Sequence, residues 1–125
     1  LAGALTCREY FDRADAQDAE VRALADAIYR RVDWRWAQGG RPLVSMGWHP
    51  EPGLPRHDAN GFLLDEWRGY MEAMLLYVLA LGSPTHPLPD GAWERWAATY
   101  RWDTFRGQEF VQFAPLFGHQ YSHVW

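Results

Sequence analysis

The chain has 125 residues, 48% of them hydrophobic, which fits one modest domain with a core and excludes a disordered polymer. Twelve arginines, no lysine and sixteen acids give a net charge of -4, which argues against nucleic acid as a partner, because neutralising phosphates needs a basic surface. The lone cysteine, Cys7, excludes a disulfide framework and a Cys-based zinc site, and no apolar run is long and charge-free enough to span a bilayer.

In chain order, Thr6 and Glu9 have the spacing of a capping box, which predicts a short helical turn carrying Tyr10 and Phe11. Asp15 or Asp18 caps the next predicted helix, which runs through Gln38 and stops at Gly39-Gly40. Val21, Leu24, Ile28, Val32 and Trp36 form its apolar face. Leu43 to His49 has strand-like residues and predicts an extended segment or short hairpin, followed by a proline-rich loop to about Gly61. From Asp65 the pattern predicts a central helix. Met71, Met74, Leu75, Val78 and Leu81 make its buried stripe, Gly82 its C-cap and Pro84 its stop. A helix this apolar is expected to be buried nearly all round. His86, in a turn fixed by prolines, is placed to cap its last carbonyls. Asp90 caps a predicted helix with Trp93, Trp96, Ala97 and Tyr100. Residues 101–114 read as extended with a turn at Arg106-Gly107, and Pro115 opens a last helix from Leu116. Helices paired through loops with a minor β-ribbon make a mainly α fold, better suited to an α toroid than to a bundle.

Three constellations could carry chemistry. Asp65, Arg68, Gly69 and Glu72 share one face of the predicted helix, with the Asp65 and Glu72 Cα atoms about 10–11 Å apart at the rise of an α-helix. Two carboxylates on one bound molecule are what glycoside hydrolysis needs, as acid and as base or nucleophile. A solvated helix start, with Arg68 paired to Glu72, explains the same residues and is favoured by the pattern alone. His119 and His123 have i, i+4 spacing, but Gln120 stands where a zincin motif has its glutamate and no third ligand is evident, so no metal or other cofactor is expected. His119, Gln120 and His123 can instead hydrogen-bond hydroxyls, or be satisfied inside an aromatic core. Trp48, Trp67, Trp102 and Tyr70 offer flat rings on which sugar faces pack, while Trp93 and Trp96 read as core.

Three segments resemble the bacterial glycoamylase-like (putative glucoamylase) domain family. They are Gly69 to Pro87 (GYMEAMLLYVLALGSPTHP), Pro115 to Trp125 (PLFGHQYSHVW), and Val32 to Trp36 (VDWRW) followed by Met46 to Glu51 (MGWHPE). The resemblance implies an (α/α)6 toroid of helical hairpins, found also in endo-β-1,2-glucanases and in the C-terminal domain of cyclic β-1,2-glucan synthases. It implies an oligo- or polysaccharide as partner, with a central cleft in which Glu72, and Asp65 with it, supply acids and His119, Gln120 and His123 bind sugar hydroxyls. Too few helices are present to close such a toroid, so residues 1–125 are expected to be a single fragment of that domain, cut at both ends, with the second catalytic carboxylate beyond Trp125. Two departures stand out: Gly118, where a bulkier residue is common, and Gly69-Tyr70-Met71, where some members carry an extra acid near Glu72. A non-catalytic saccharide-binding or accessory domain is the alternative. Linkage specificity, compartment (periplasmic or cytoplasmic) and oligomeric state are not legible.

Overall fold

The computed structural model describes residues 1–122. Its first helix, α1 (Ala2–Tyr10), begins earlier than the Thr6 capping box implies. Thr6 lies inside it and donates its hydroxyl back to the Ala2 carbonyl at 3.1 Å, a bond that serves the helix interior instead of starting it. α2 (Ala16–Arg30) begins where expected, with Asp15 accepting from the Asp18 N–H at 2.9 Å. The two helices pack together, tied by Arg8 to Asp26 at 3.3 Å.

The single predicted helix through Gln38 is two. Asp33 takes an extended conformation and caps the short α3 (Trp34–Ala37), its Oδ1 accepting the Trp36 N–H at 2.9 Å. A local side-chain cap outcompetes continuation of the ladder. Gly39 and Gly40, both at positive φ, then end the turn as expected. The buried face of α2 is also rotated by one residue. Ala25 and Tyr29 are buried, while Leu24 and Ile28 are at least half exposed. The Tyr29 hydroxyl is satisfied from outside the helix, donating to the Leu79 carbonyl at 2.7 Å.

The expected extended segment is an irregular antiparallel ribbon. Isolated bridges join Ser45 to Glu66, Trp48 to Phe62 and His57 to Leu63. This ribbon is why the central helix does not start at Asp65. Met46 takes the Asp65 carbonyl and Trp67 donates to the Val44 carbonyl, both at 2.9 Å, so 65–67 spends its backbone groups on a neighbour. Gly69 then adopts φ +77, and α4 covers only Met74–Leu81. Its buried line is Ala73, Tyr77 and Ala80, whereas Val78 of the expected stripe is 49% exposed, so α4 is not enclosed all round in these residues. Gly82 is its C-cap, as expected, donating to the Val78 carbonyl. His86 is exposed, and its backbone N–H bonds Ser83 Oγ at 3.3 Å. The neighbouring Leu88 N–H takes the Ala80 carbonyl at 3.1 Å, so the helix end is satisfied by backbone.

The core gathers Trp34, Leu43, Val44, Tyr77, Leu88 and Trp96, with Tyr77 stacked on Trp96 at 4.9 Å between ring centroids. Trp96 lies on α5 (Ala92–Ala97), whose N-cap is Gly91 at φ +75 and not Asp90. Strands β1 (Trp102–Phe105) and β2 (Gln108–Val111) form the expected ribbon. Arg106 and Gly107 both have positive φ at its turn, the twist that a two-residue hairpin requires. α6 (Leu116–Ser122) follows Pro115 as expected. Among the described residues the fold is mainly α with one two-stranded sheet, and no helix is long and apolar enough to cross a membrane.

Candidate functional site

Positive φ at Gly69 turns the chain so that Tyr70 leaves the ribbon for a cleft of about 560 Å³. Thr99 fixes that turn. Its hydroxyl accepts the Gly69 N–H at 2.7 Å and donates to the Trp96 carbonyl at 2.6 Å, so the turn is anchored to the end of α5. His119 reaches the same cleft from α6, and its ring lies 5.2 Å from that of Tyr70, tilted by 35°. His119 Nε2 is 3.0 Å from the Phe113 carbonyl. A carbonyl only accepts, so Nε2 carries the proton, and in a neutral ring Nδ1 is left as an acceptor. Gly118 explains itself here. A Cβ at that position would lie 1.7 Å from the Phe113 ring, so the departure from a bulkier residue makes room for this aromatic wall. Behind Tyr70, burial and then the neighbouring Tyr70 push the Tyr100 hydroxyl up to about 12, which keeps that wall uncharged.

Glu72 and Trp67 share a second, apolar cavity of about 270 Å³, walled by Trp34, Leu75 and Leu79. Tyr77 places Trp67, donating its hydroxyl to the Trp67 carbonyl at 2.9 Å. Within the described residues, three buried side-chain atoms have no hydrogen-bond partner: Glu72 Oε2 and Trp34 Nε1 at this cavity, and Trp96 Nε1 in the core. Buried polar atoms are nearly always paired, and an orphan costs about 1–3 kcal/mol, so a carboxylate oxygen left free in a cavity calls for an explanation in function.

The expected joint face of Asp65 and Glu72 does not exist, because no helix connects them. Asp65 bonds Arg56 instead, while Arg68, expected to pair with Glu72, holds Glu66 at 3.0 Å. Trp48 stands in a separate patch with Trp36 and Phe62, its indole donating to the Asn60 carbonyl at 2.9 Å. Trp36, read as helix core, is 52% exposed there. Gln120 is exposed on α6, and His123 lies outside the described residues. Trp93 and Trp96 pack in the core as expected, and Trp102 is exposed on β1. The structure therefore brings Tyr70 to His119 and Trp67 to Glu72, and leaves Asp65 and Trp48 apart from both. Cleft residues that sequence reasoning missed are Thr99, Arg101 and Gln112. Arg101 and Gln112 flank the β-ribbon, whose position relative to Tyr70 has no local signature. Among the described residues no three His, Cys, Asp or Glu side chains converge as a metal site requires.

Residues 65–125 match the family model described as putative glucoamylase. An exo β-1,2-glucooligosaccharide sophorohydrolase of Parabacteroides distasonis is 26% identical over 97 residues, which is 77% of this chain and 13% of that protein. A solved structure described as a putative glucoamylase from Bacteroides caccae superposes with a TM-score of 0.70 at 25% identity, over 98% of this chain and 30% of that one. The fold is shared also with an endo-β-1,2-glucanase from Chitinophaga pinensis, with a TM-score of 0.64 at 22% identity, over 87% of this chain and 25% of that one. The 125 residues thus span less than a third of the length of each of these relatives. The family-model match covers the two later segments quoted above, Gly69 to Pro87 and Pro115 to Trp125, so residues 65–125 resemble the glycoamylase family.

Proposed function

We propose that these residues are part of an (α/α)6-toroid glycoside hydrolase that cleaves β-glucan, with β-1,2-linked glucan as the substrate. The observation that carries this reading is the orphaned, buried carboxylate oxygen of Glu72 beside the Trp67 ring. A carboxyl group in an apolar, ring-walled cavity is equipped to handle a proton at a glycosidic oxygen. The relationship to a sophorohydrolase points to the β-1,2 linkage. Glu72 is the acidic component, and Asp65 is a second acid if a substrate displaces its Arg56 partner. A further carboxylate elsewhere in the intact protein completes the pair. Tyr70, His119, Trp67 and Trp48 contact sugar rings and hydroxyls, and Gln120 and His123 extend that set along the last helix. Gly118 and Phe113 preserve the wall against which His119 is held.

A second reading is a saccharide-binding domain without turnover. The neutralisation of Asp65 by Arg56 favours it, since it removes one of the two acids. Reducing-sugar release by the intact protein from β-1,2-glucan, with starch and β-1,3-glucan alongside, separates the two. Release from β-1,2-glucan alone is the expected result. Binding of that glucan without release would establish the second reading.

A further inference from the structure

The cleft around Tyr70 and His119 has a charge that the proposed neutral glucan does not use. Among the described residues that line it are two arginines, Arg68 and Arg101, and no carboxylate. This stands against a chain in which acids outnumber arginines sixteen to twelve. Arg68 is partly neutralised, since Glu66 holds it at 3.0 Å. Arg101 differs: among the described residues its guanidinium has no ion pair and no hydrogen bond. Its backbone is nevertheless fixed, because its carbonyl accepts the Gln112 N–H at 2.7 Å and closes the base of the β1–β2 ribbon. An exposed arginine normally sits free in water, but this one is anchored at the wall of a concave site. Gln112 beside it adds an amide donor, and His119 a ring nitrogen. A planar fork of five donors suits a carboxylate or phosphate far better than a neutral hydroxyl.

We infer that the Tyr70–His119 cleft binds an anionic group, a carboxylate or a phosphate ester, carried on a sugar, with Arg101 as its main cationic partner. The inference rests on the saccharide reading above and gives the substrate class at that cleft: an acidic or phosphorylated sugar unit stacked near Tyr70. Arg68 contributes less, because Glu66 already shares its charge.

Binding of glucose, glucuronate and glucose 6-phosphate to the intact protein tests this, since the three differ only at C6. In low salt the better of the two anions is expected to bind at least about tenfold tighter than glucose, in keeping with one charge-assisted contact. The ratio between glucuronate and glucose 6-phosphate tells carboxylate from phosphate. Arg101→Gln is expected to bring that preference within about twofold, Arg101→Lys to keep part of it, and 0.5 M salt, roughly, to erase most of it. The thermal midpoint of each variant reports folding. Equal binding of all three sugars, no binding of either anion, or a preference that survives Arg101→Gln in a folded protein would each overturn the inference. Glucan cleavage by the wild type is read separately. Cleavage without anion preference defeats this inference alone, and anion preference without cleavage defeats the hydrolase reading alone.

Discussion

Tyr77 is fully buried, and its hydroxyl joins two backbone groups from distant parts of the chain. It donates to the Trp67 carbonyl at 2.9 Å and accepts the Val44 N–H at 3.3 Å. Tyr77→Phe keeps the ring stacked on Trp96 and removes only that oxygen. Trp67 O and Val44 N–H then lose a partner inside the core. Each such orphan costs about 1–3 kcal/mol, and the longer Val44 bond belongs at the lower end, so the expected loss is about 2–4 kcal/mol. Urea denaturation of the intact protein should show a lower midpoint at unchanged slope, the sign of lost stability without a changed denatured state. Hydrogen exchange at the Trp67 amide, which bonds the Val44 carbonyl at 2.9 Å, should accelerate. Tyr10→Phe is the control, because Tyr10 is 76% exposed and its loss should fall within about 0.5 kcal/mol. A Tyr77→Phe loss below about 0.5 kcal/mol, with Trp67 protection intact, would refute the view that this hydroxyl pins the ribbon to α4.

Two further expectations follow from local geometry. Gly118→Ala puts a methyl into the Phe113 ring and should displace the carbonyl that His119 holds; loss of saccharide binding in a protein that still folds is the expected outcome, checked by calorimetry. Asp18 is held below the usual carboxylate range, chiefly by its hydrogen bond with Arg13. Because the folded value is the depressed one, its contribution is present above the unfolded value near about 4 and lost as the pH falls through the folded value. Acid unfolding curves for Arg13→Ala should therefore converge on those of the wild type at low pH and lie below them at neutral pH.

What was legible in the sequence was what local chemistry decides. The Arg106-Gly107 turn needed two residues at positive φ, and Pro115, Asp15 and Gly39-Gly40 marked helix ends by conformational preferences that no distant contact reversed. The start of the central helix was not legible, because it depends on Val44 and Met46 claiming the backbone of Trp67 and Asp65 across the ribbon. The same ribbon separated Asp65 from Glu72, so a helix-face argument put together two acids that tertiary pairing keeps apart. The burial of α2 differs by one residue from the apolar pattern for a related reason: Ala25 and Tyr29 are buried, and Tyr29 bonds the distant Leu79 carbonyl, a partner that local spacing does not show. Tyr70 and His119 were named from residue type and family resemblance, and their meeting depends on the Gly69–Thr99 anchor, which has no sequence signature. The isolated charge of Arg101 was invisible until the ribbon was placed beside the cleft.

The most direct measurement is the turnover of β-1,2-glucan by the intact protein with Glu72→Gln, compared with wild type for both rate and substrate affinity. If Glu72 handles the proton at the scissile bond, kcat should fall by about 10²–10⁴-fold while glucan affinity stays within a few fold. Wild-type turnover by Glu72→Gln would contradict the assignment, and its buried, unpaired oxygen would then have to be explained by the packing of the protein around it.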